Sequence, residues 1–191
     1  MEALLISTGV VALAEMGDKT QLLAFILAAR FKRPWPIVLG ILVATLINHG
    51  LAGALGAWIT SWLGPDTMRW VLGLSFLGMA LWTLIPDEIE EEETRVAQRL
   101  GVFGATFVTF FLAEMGDKTQ IATVALAAHY TTALPVIAGT TLGMLIADVP
   151  AVLLAHRFAD RLPMRLVHLI AAGIFAAMGL LALFKVDKLF G

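Results

Sequence analysis

The nine residues Leu13-Ala14-Glu15-Met16-Gly17-Asp18-Lys19-Thr20-Gln21 recur letter for letter as Leu112 to Gln120, at an offset of 99. Each copy sets two carboxylates and a lysine inside an apolar run long enough to cross a bilayer. A charged side chain at bilayer depth costs roughly 2.5–3.5 kcal/mol on the translocon scale. Six such charges are too costly to be filler, so the duplicated stretch marks a functional site.

The surrounding sequence sets the class. The chain is 59% hydrophobic and 15% charged, where soluble domains carry about a quarter charged residues. No Asp, Glu, Lys or Arg lies between Arg33 and Asp66, nor between Lys118 and Asp148. A helical span takes about 20 mostly apolar residues, and six are expected, at 3–29, 36–62, 68–86, 101–128, 135–156 and 165–184. They consume most of the chain and leave no room for a soluble catalytic domain. Strands of a membrane barrel would alternate polar and apolar residues, and these runs do not. The expected fold is all-α: a polytopic membrane protein with six transmembrane helices.

A net charge of −2 offers no basic surface for nucleic acid. Cysteine is absent, which removes disulfides and thiolate metal sites. Met1-Glu2-Ala3 lacks the basic leader of a cleaved signal peptide, so the first span is expected to belong to the mature protein.

The repeat runs beyond the motif. At the same offset Leu46-Ile47 aligns with Leu145-Ile146, His49 with Asp148, Phe76 with Phe175 and Met79 with Met178. The domains expected are a three-helix repeat over 1–86, an acidic cytoplasmic linker over 87–99, and a second three-helix repeat over 100–191. Three spans per repeat is an odd number, so the copies enter the membrane from opposite sides and form an inverted repeat. Many secondary transporters are built this way, with the site at midplane between the halves. Outside the motifs, Arg30, Lys32, Arg33, Arg95, Arg99, Arg157, Arg161 and Arg165 fall on one side; Arg69, Lys185 and Lys188 fall on the other. The positive-inside rule then puts both termini outside and the acidic linker in the cytoplasm.

On a continuous helix Glu15 and Asp18 would share a face, with Lys19 near it and Gln21 on the flank. The second copy supplies Glu114, Asp117, Lys118 and Gln120. Gly17 and Gly116 allow either close helix approach or a local break that frees backbone groups. If the halves meet, four carboxylates and two amides converge. Such oxygen donors suit Ca²⁺, Mn²⁺ or Mg²⁺ rather than zinc or copper. Four carboxylates and two lysines sum to −2, the charge one divalent ion neutralises. Without the ion, facing carboxylates in a low-dielectric site favour protons, so one set of groups can bind either partner of an antiport. The lysines act as counter-ions that exclude a second metal, or pair structurally with the carboxylates.

Two copies of Glu-x-Gly-Asp-Lys-Thr, each in the first helix of a three-helix repeat, resemble the calcium/cation antiporter-2 family of small bacterial manganese exporters and their Golgi and chloroplast relatives. The resemblance covers essentially the whole chain. It implies exchange of Mn²⁺ or Ca²⁺ for H⁺ at Glu15, Asp18, Glu114 and Asp117, supported by Gln21 and Gln120. It also implies a multi-pass protein of the bacterial inner membrane, with metal as cargo, no cofactor and no enzymatic chemistry. The brevity of the chain favours manganese export over the organellar roles.

The bland readings bear on the other residues. Thr20 and Thr119 are expected to bond the helix backbone rather than ligate, and Met16 and Met115 to serve in packing. Asn48, His49 and Asp148 are polar groups at membrane depth, either a supporting shell and proton relay or plain interhelical hydrogen bonds. His129, His156 and His168 fall at span ends. Trp35, Trp58, Trp62, Trp70 and Trp82 read as interfacial anchors. Gly50, Gly53, Gly56, Gly173 and Gly179 permit close packing within or between subunits. Three other functions compete. One is an exporter of small amino acids or of another metal on a similar scaffold; an amino-acid site would need a cation for the substrate carboxylate rather than four acids. An intramembrane aspartyl protease would resemble Gly-x-Gly-Asp families, whereas Glu15 stands at that first position. A purely structural protein would leave the buried charge unexplained.

Overall fold

The computed structural model describes residues 1–62, 65–82, 84, 100–130, 132–154 and 164–184. Regular structure among them is helical: α1 (Glu2–Glu15), α2 (Lys19–Phe31), α3 (Pro34–Trp62), α4 (Pro65–Trp82), α5 (Gly101–Ala113), α6 (Lys118–Tyr130), α7 (Ala133–Leu154) and α8 (Met164–Leu183). The acidic stretch 87–99, His156 and the cations at 95, 99, 157, 161, 185 and 188 lie outside the described residues.

Two of the expected spans are not single helices. The run expected at 3–29 is broken between α1 and α2, and that at 101–128 between α5 and α6. The glycine of each motif causes the break. Gly17 has φ 82° and Gly116 φ 80°, a left-handed conformation that ends a right-handed helix at little cost only for glycine. The following aspartate restarts the chain. Asp18 is extended, with φ −78° and ψ 168°, and its carbonyl accepts the Leu22 N–H at 3.3 Å. Asp117 does the same for Ile121 at 3.1 Å. A broken helix at membrane depth is tolerated only where protein or a cavity receives its polar backbone.

The third helix of each half is the long one. Within α3, Pro34–Ile59 is long and apolar enough to cross a membrane, as is the 22-residue α7. Shorter apolar stretches, Trp70–Leu81 and Ala172–Leu181, lie within α4 and α8. Large apolar side chains face outward on every helix, among them Leu5, Leu22, Leu51, Leu74, Phe103, Ile121, Leu142 and Leu180. Lipid is the solvent that suits such a surface. Trp35, Trp58, Trp62 and Trp70 are exposed too.

Packing exchanges elements between the halves. Helix α1 lies along α7 and α5 along α3, while α2 contacts α7 and α6 contacts α3. Both crossings use the same glycine of the repeat. A Cβ on Gly40 would stand 2.7 Å from Thr106 Cβ; one on Gly139 would stand 2.5 Å from the Leu4 carbonyl oxygen and 2.9 Å from Ser7 Cβ. Gly40 and Gly139 are 99 apart, and so are Ser7 and Thr106. Small residues let helix backbones approach closely without a hydrophobic drive between them. Gly53 meets Ile137, and Gly73 meets Gly179 between α4 and α8; Gly50 and Gly173 face open space. The broken helices of each half are thus held against the long helix of the other half, and both breaks turn inward.

Candidate cation site

At the two breaks the motif carboxylates converge. Oxygens of Glu15, Glu114 and Asp117 all lie within 4.8 Å of one another. The four motif acids are buried: Glu15 and Glu114 completely, Asp18 and Asp117 to within a few per cent. The first acid of each pair closes a helix and the second opens the next, so Glu15 and Asp18 flank a turn and do not share a helix face. The positive φ of Gly17 replaces the expected helical register, and Glu114 and Asp117 are related in the same way.

The neighbouring polar residues hold this turn. Thr20 Oγ1 donates to Glu15 Oε2 at 2.6 Å, and Thr119 Oγ1 to Glu114 Oε2 at 3.1 Å. Thr119 also reaches Asp117 Oδ2 at 3.4 Å. These hydroxyls orient carboxylates instead of bonding the helix backbone as expected, because the break removes the i−4 carbonyl a continuous helix would have offered. Gln21 Oε1 accepts the Gly17 N–H at 3.0 Å and Gln120 Oε1 accepts the Gly116 N–H at 2.8 Å. Each glutamine therefore closes its own turn. Gln21 Nε2 then donates to the Ala147 carbonyl of α7 at 3.0 Å, and Asn48 Nδ2 donates to the Phe111 carbonyl of α5 at 3.1 Å. Those two bonds pin each break to the other half's long helix.

The duplicated lysines differ. Lys118 is fully buried and its Nζ forms an ion pair with Asp18, the aspartate of the other copy. Lys19 is only partly buried and forms no ion pair among the described residues. Met115 is exposed at 55%, while Met16 is partly buried. Identical sequence therefore sits in unlike surroundings, which no inspection of the motif alone could reveal.

Asp148 and His49, equivalent in the repeat, are both fully buried, and among the described residues no hydrogen-bond partner reaches either side chain's polar atoms. The buried hydroxyls of Ser7, Thr45 and Thr141 also lack hydrogen-bond partners among the described residues. Sequence reasoning passed over these three; their only signal was a small polar residue inside an apolar span. Glu15 and Glu114 keep one oxygen each without a hydrogen bond among the described residues. Buried polar atoms are ordinarily satisfied, and each exception asks for a reason. An oxygen-coordinated cation supplies one: the free oxygens of Glu15 and Glu114 beside Asp117 form a hard, anionic donor set of the kind Ca²⁺, Mn²⁺ and Mg²⁺ accept.

Comparison with known proteins follows the same line. The model of the family described as divalent cation/proton antiporter GDT1 matches residues 3–91 and 102–188. A Vibrio cholerae protein named "Putative manganese exporter" is 52% identical over 185 residues, covering 96% of this chain and 92% of its own. The GDT1-like protein sll0615 of Synechocystis is 34% identical, covering 86% of this chain and 88% of its own. GDT1-like protein 3 of Oryza sativa is 30% identical, covering 91% and 71%. No solved structure matches.

Proposed function

The chain belongs to the GDT1 family of divalent cation/proton antiporters, and from that premise we propose that it exports Mn²⁺, with Ca²⁺ as a second substrate, in exchange for protons. One observation carries the proposal: carboxylates from both copies of the motif, Glu15 with Glu114 and Asp117, come within 4.8 Å of one another in a buried site. A single ion bridging them neutralises charges that otherwise repel. When the ion leaves, the same oxygens take protons, and this mutual exclusion is what an exchanger requires. Asp18 completes the acidic set, and Asp148 with His49 and Asn48 forms the surrounding shell through which protons pass.

The membrane arrangement belongs to the same proposal. Each broken helix, followed by the two helices after it, forms one three-span repeat, 1–86 and 100–191, inverted relative to the other and joined by a cytoplasmic linker at 87–99. The termini lie outside and the protein resides in the bacterial inner membrane. Alternating access opens the midplane site first to one side and then to the other. Expelling a divalent ion against about 100 mV, inside negative, costs roughly 4.6 kcal/mol, so export demands a coupled ion such as H⁺.

The test is cellular manganese. Cells lacking their own exporter and carrying this chain should hold less Mn²⁺ under manganese load than cells carrying Glu15→Gln or Glu114→Gln at equal membrane abundance. Equal manganese in all three would remove the proposed function.

A further inference from the structure

The duplicated lysines are identical in sequence context for nine residues, yet one is buried on the opposite copy's aspartate and the other is partly exposed. Lys118 reaches from the second break to Asp18 in the first. The cluster able to hold an ion then consists of Glu15, Glu114 and Asp117. Asp18, the fourth motif acid, is engaged by an ammonium group. An ammonium on a carboxylate stands where part of a divalent cation's charge would otherwise stand, so Lys118 competes with metal for the acidic site.

The repeat relates Lys118 to Lys19 and Asp18 to Asp117. We infer that the two lysines alternate as the resident cation of the site. In the conformation described, Lys118 holds Asp18 and the ion meets Glu15, Glu114 and Asp117. In the counterpart, Lys19 holds Asp117 and the ion meets Glu114, Glu15 and Asp18. Both glutamates serve in each state; the aspartates change roles. The lysines are positioning residues: neither ligates the ion, and each sets which aspartate does. The exchange also limits the site to one divalent ion, since three carboxylates beside a neutral ion pair keep only a single negative charge once one ion is bound, too little to hold a second. This inference rests on the proposed transport function, but it concerns binding and is read independently of flux.

The experiment titrates Mn²⁺ into detergent-solubilised full-length protein, comparing the parent with Lys118→Met and Lys19→Met. With one lysine gone, the ion reaches a conformation in which no ammonium holds an aspartate of the site. Each variant is expected to bind Mn²⁺ about tenfold tighter or more, since a neighbouring positive charge has been removed, and to turn over more slowly in vesicles. A purely structural Lys118 gives the reverse: its loss strands a buried aspartate and weakens binding, while Lys19→Met leaves affinity unchanged. That pair of results overturns the inference. Should Lys118→Met fail to fold, the half-buried Lys19 decides alone, tighter binding supporting alternation and unchanged affinity refuting it. Parent protein that binds Mn²⁺ without transporting it would count against the transport reading and leave the lysine result standing.

Discussion

Lys118 of the second motif forms a buried ion pair with Asp18 of the first, so the two copies of one sequence are bonded directly to each other. This contact runs between halves 99 residues apart, at the point where two helices break. It makes the site a joint property of both halves, and neither motif is complete alone. Mutations in one copy should therefore affect the other.

The carboxylates come first. Glu15→Gln, Glu114→Gln and Asp117→Asn should each weaken Mn²⁺ binding by at least about tenfold, or ~1.4 kcal/mol, and abolish transport. Because each also removes one of several facing negative charges, thermal stability without metal should hold or rise. A titration paired with a melting curve checks both signs in one preparation.

The threonines give a graded version. Thr20 and Thr119 donate to Glu15 and Glu114, and a hydrogen bond of this kind contributes about 0.5–1.5 kcal/mol, more when the acceptor is charged. Thr20→Val and Thr119→Val should raise the Mn²⁺ concentration for half-maximal transport several-fold. Thr→Ser at the same positions should restore it. Indifference to the hydroxyl would show that the carboxylates are oriented by something else.

Backbone conformation yields a cleaner prediction. Gly116 has φ 80°, and nothing lies within 4 Å of where a Cβ would stand. Gly116→Ala therefore meets no clash and incurs only the left-handed backbone cost of about 1–2 kcal/mol. Gly139→Ala instead drives a Cβ to 2.5 Å from the Leu4 carbonyl oxygen, an overpacking that costs about 1–3 kcal/mol. Gly50→Ala, in open space within α3, should gain stability by about 0.5–1 kcal/mol from helix propensity. Three melting points in one detergent test all three signs.

A substitution at Asp148 should separate metal binding from proton movement. Its carboxylate is fully buried with no hydrogen-bond partner among the described residues, and it occupies the position of His49 in the repeat. Asp148→Asn should keep Mn²⁺ binding within a few-fold of the parent while uncoupling or stopping the proton flux. Unimpaired proton movement in this variant would remove Asp148 from the relay.

Much of this was legible in the sequence because charge in apolar surroundings is self-advertising. The verbatim repeat exposed Glu15, Asp18, Glu114 and Asp117, and the uncharged stretches outlined the helices around them. The broken helices were half legible: glycine inside the motif permitted either a break or close approach, and only tertiary packing chose the break. That choice then changed what the threonines do, since their role depends on whether a helical carbonyl is in reach. The unlike surroundings of Lys19 and Lys118 were illegible in principle. One sequence occurring twice says nothing about which copy is engaged, because the difference lies in the conformation of the whole.

The exchange itself can be followed in proteoliposomes loaded with a pH-sensitive dye. Mn²⁺ is added on one side at a fixed membrane potential. Mn²⁺ entry should drive protons out of the lumen, an imposed proton gradient should drive Mn²⁺ the opposite way, and Glu15→Gln should stop both. Mn²⁺ entry at the full rate with no change in lumenal pH would contradict it.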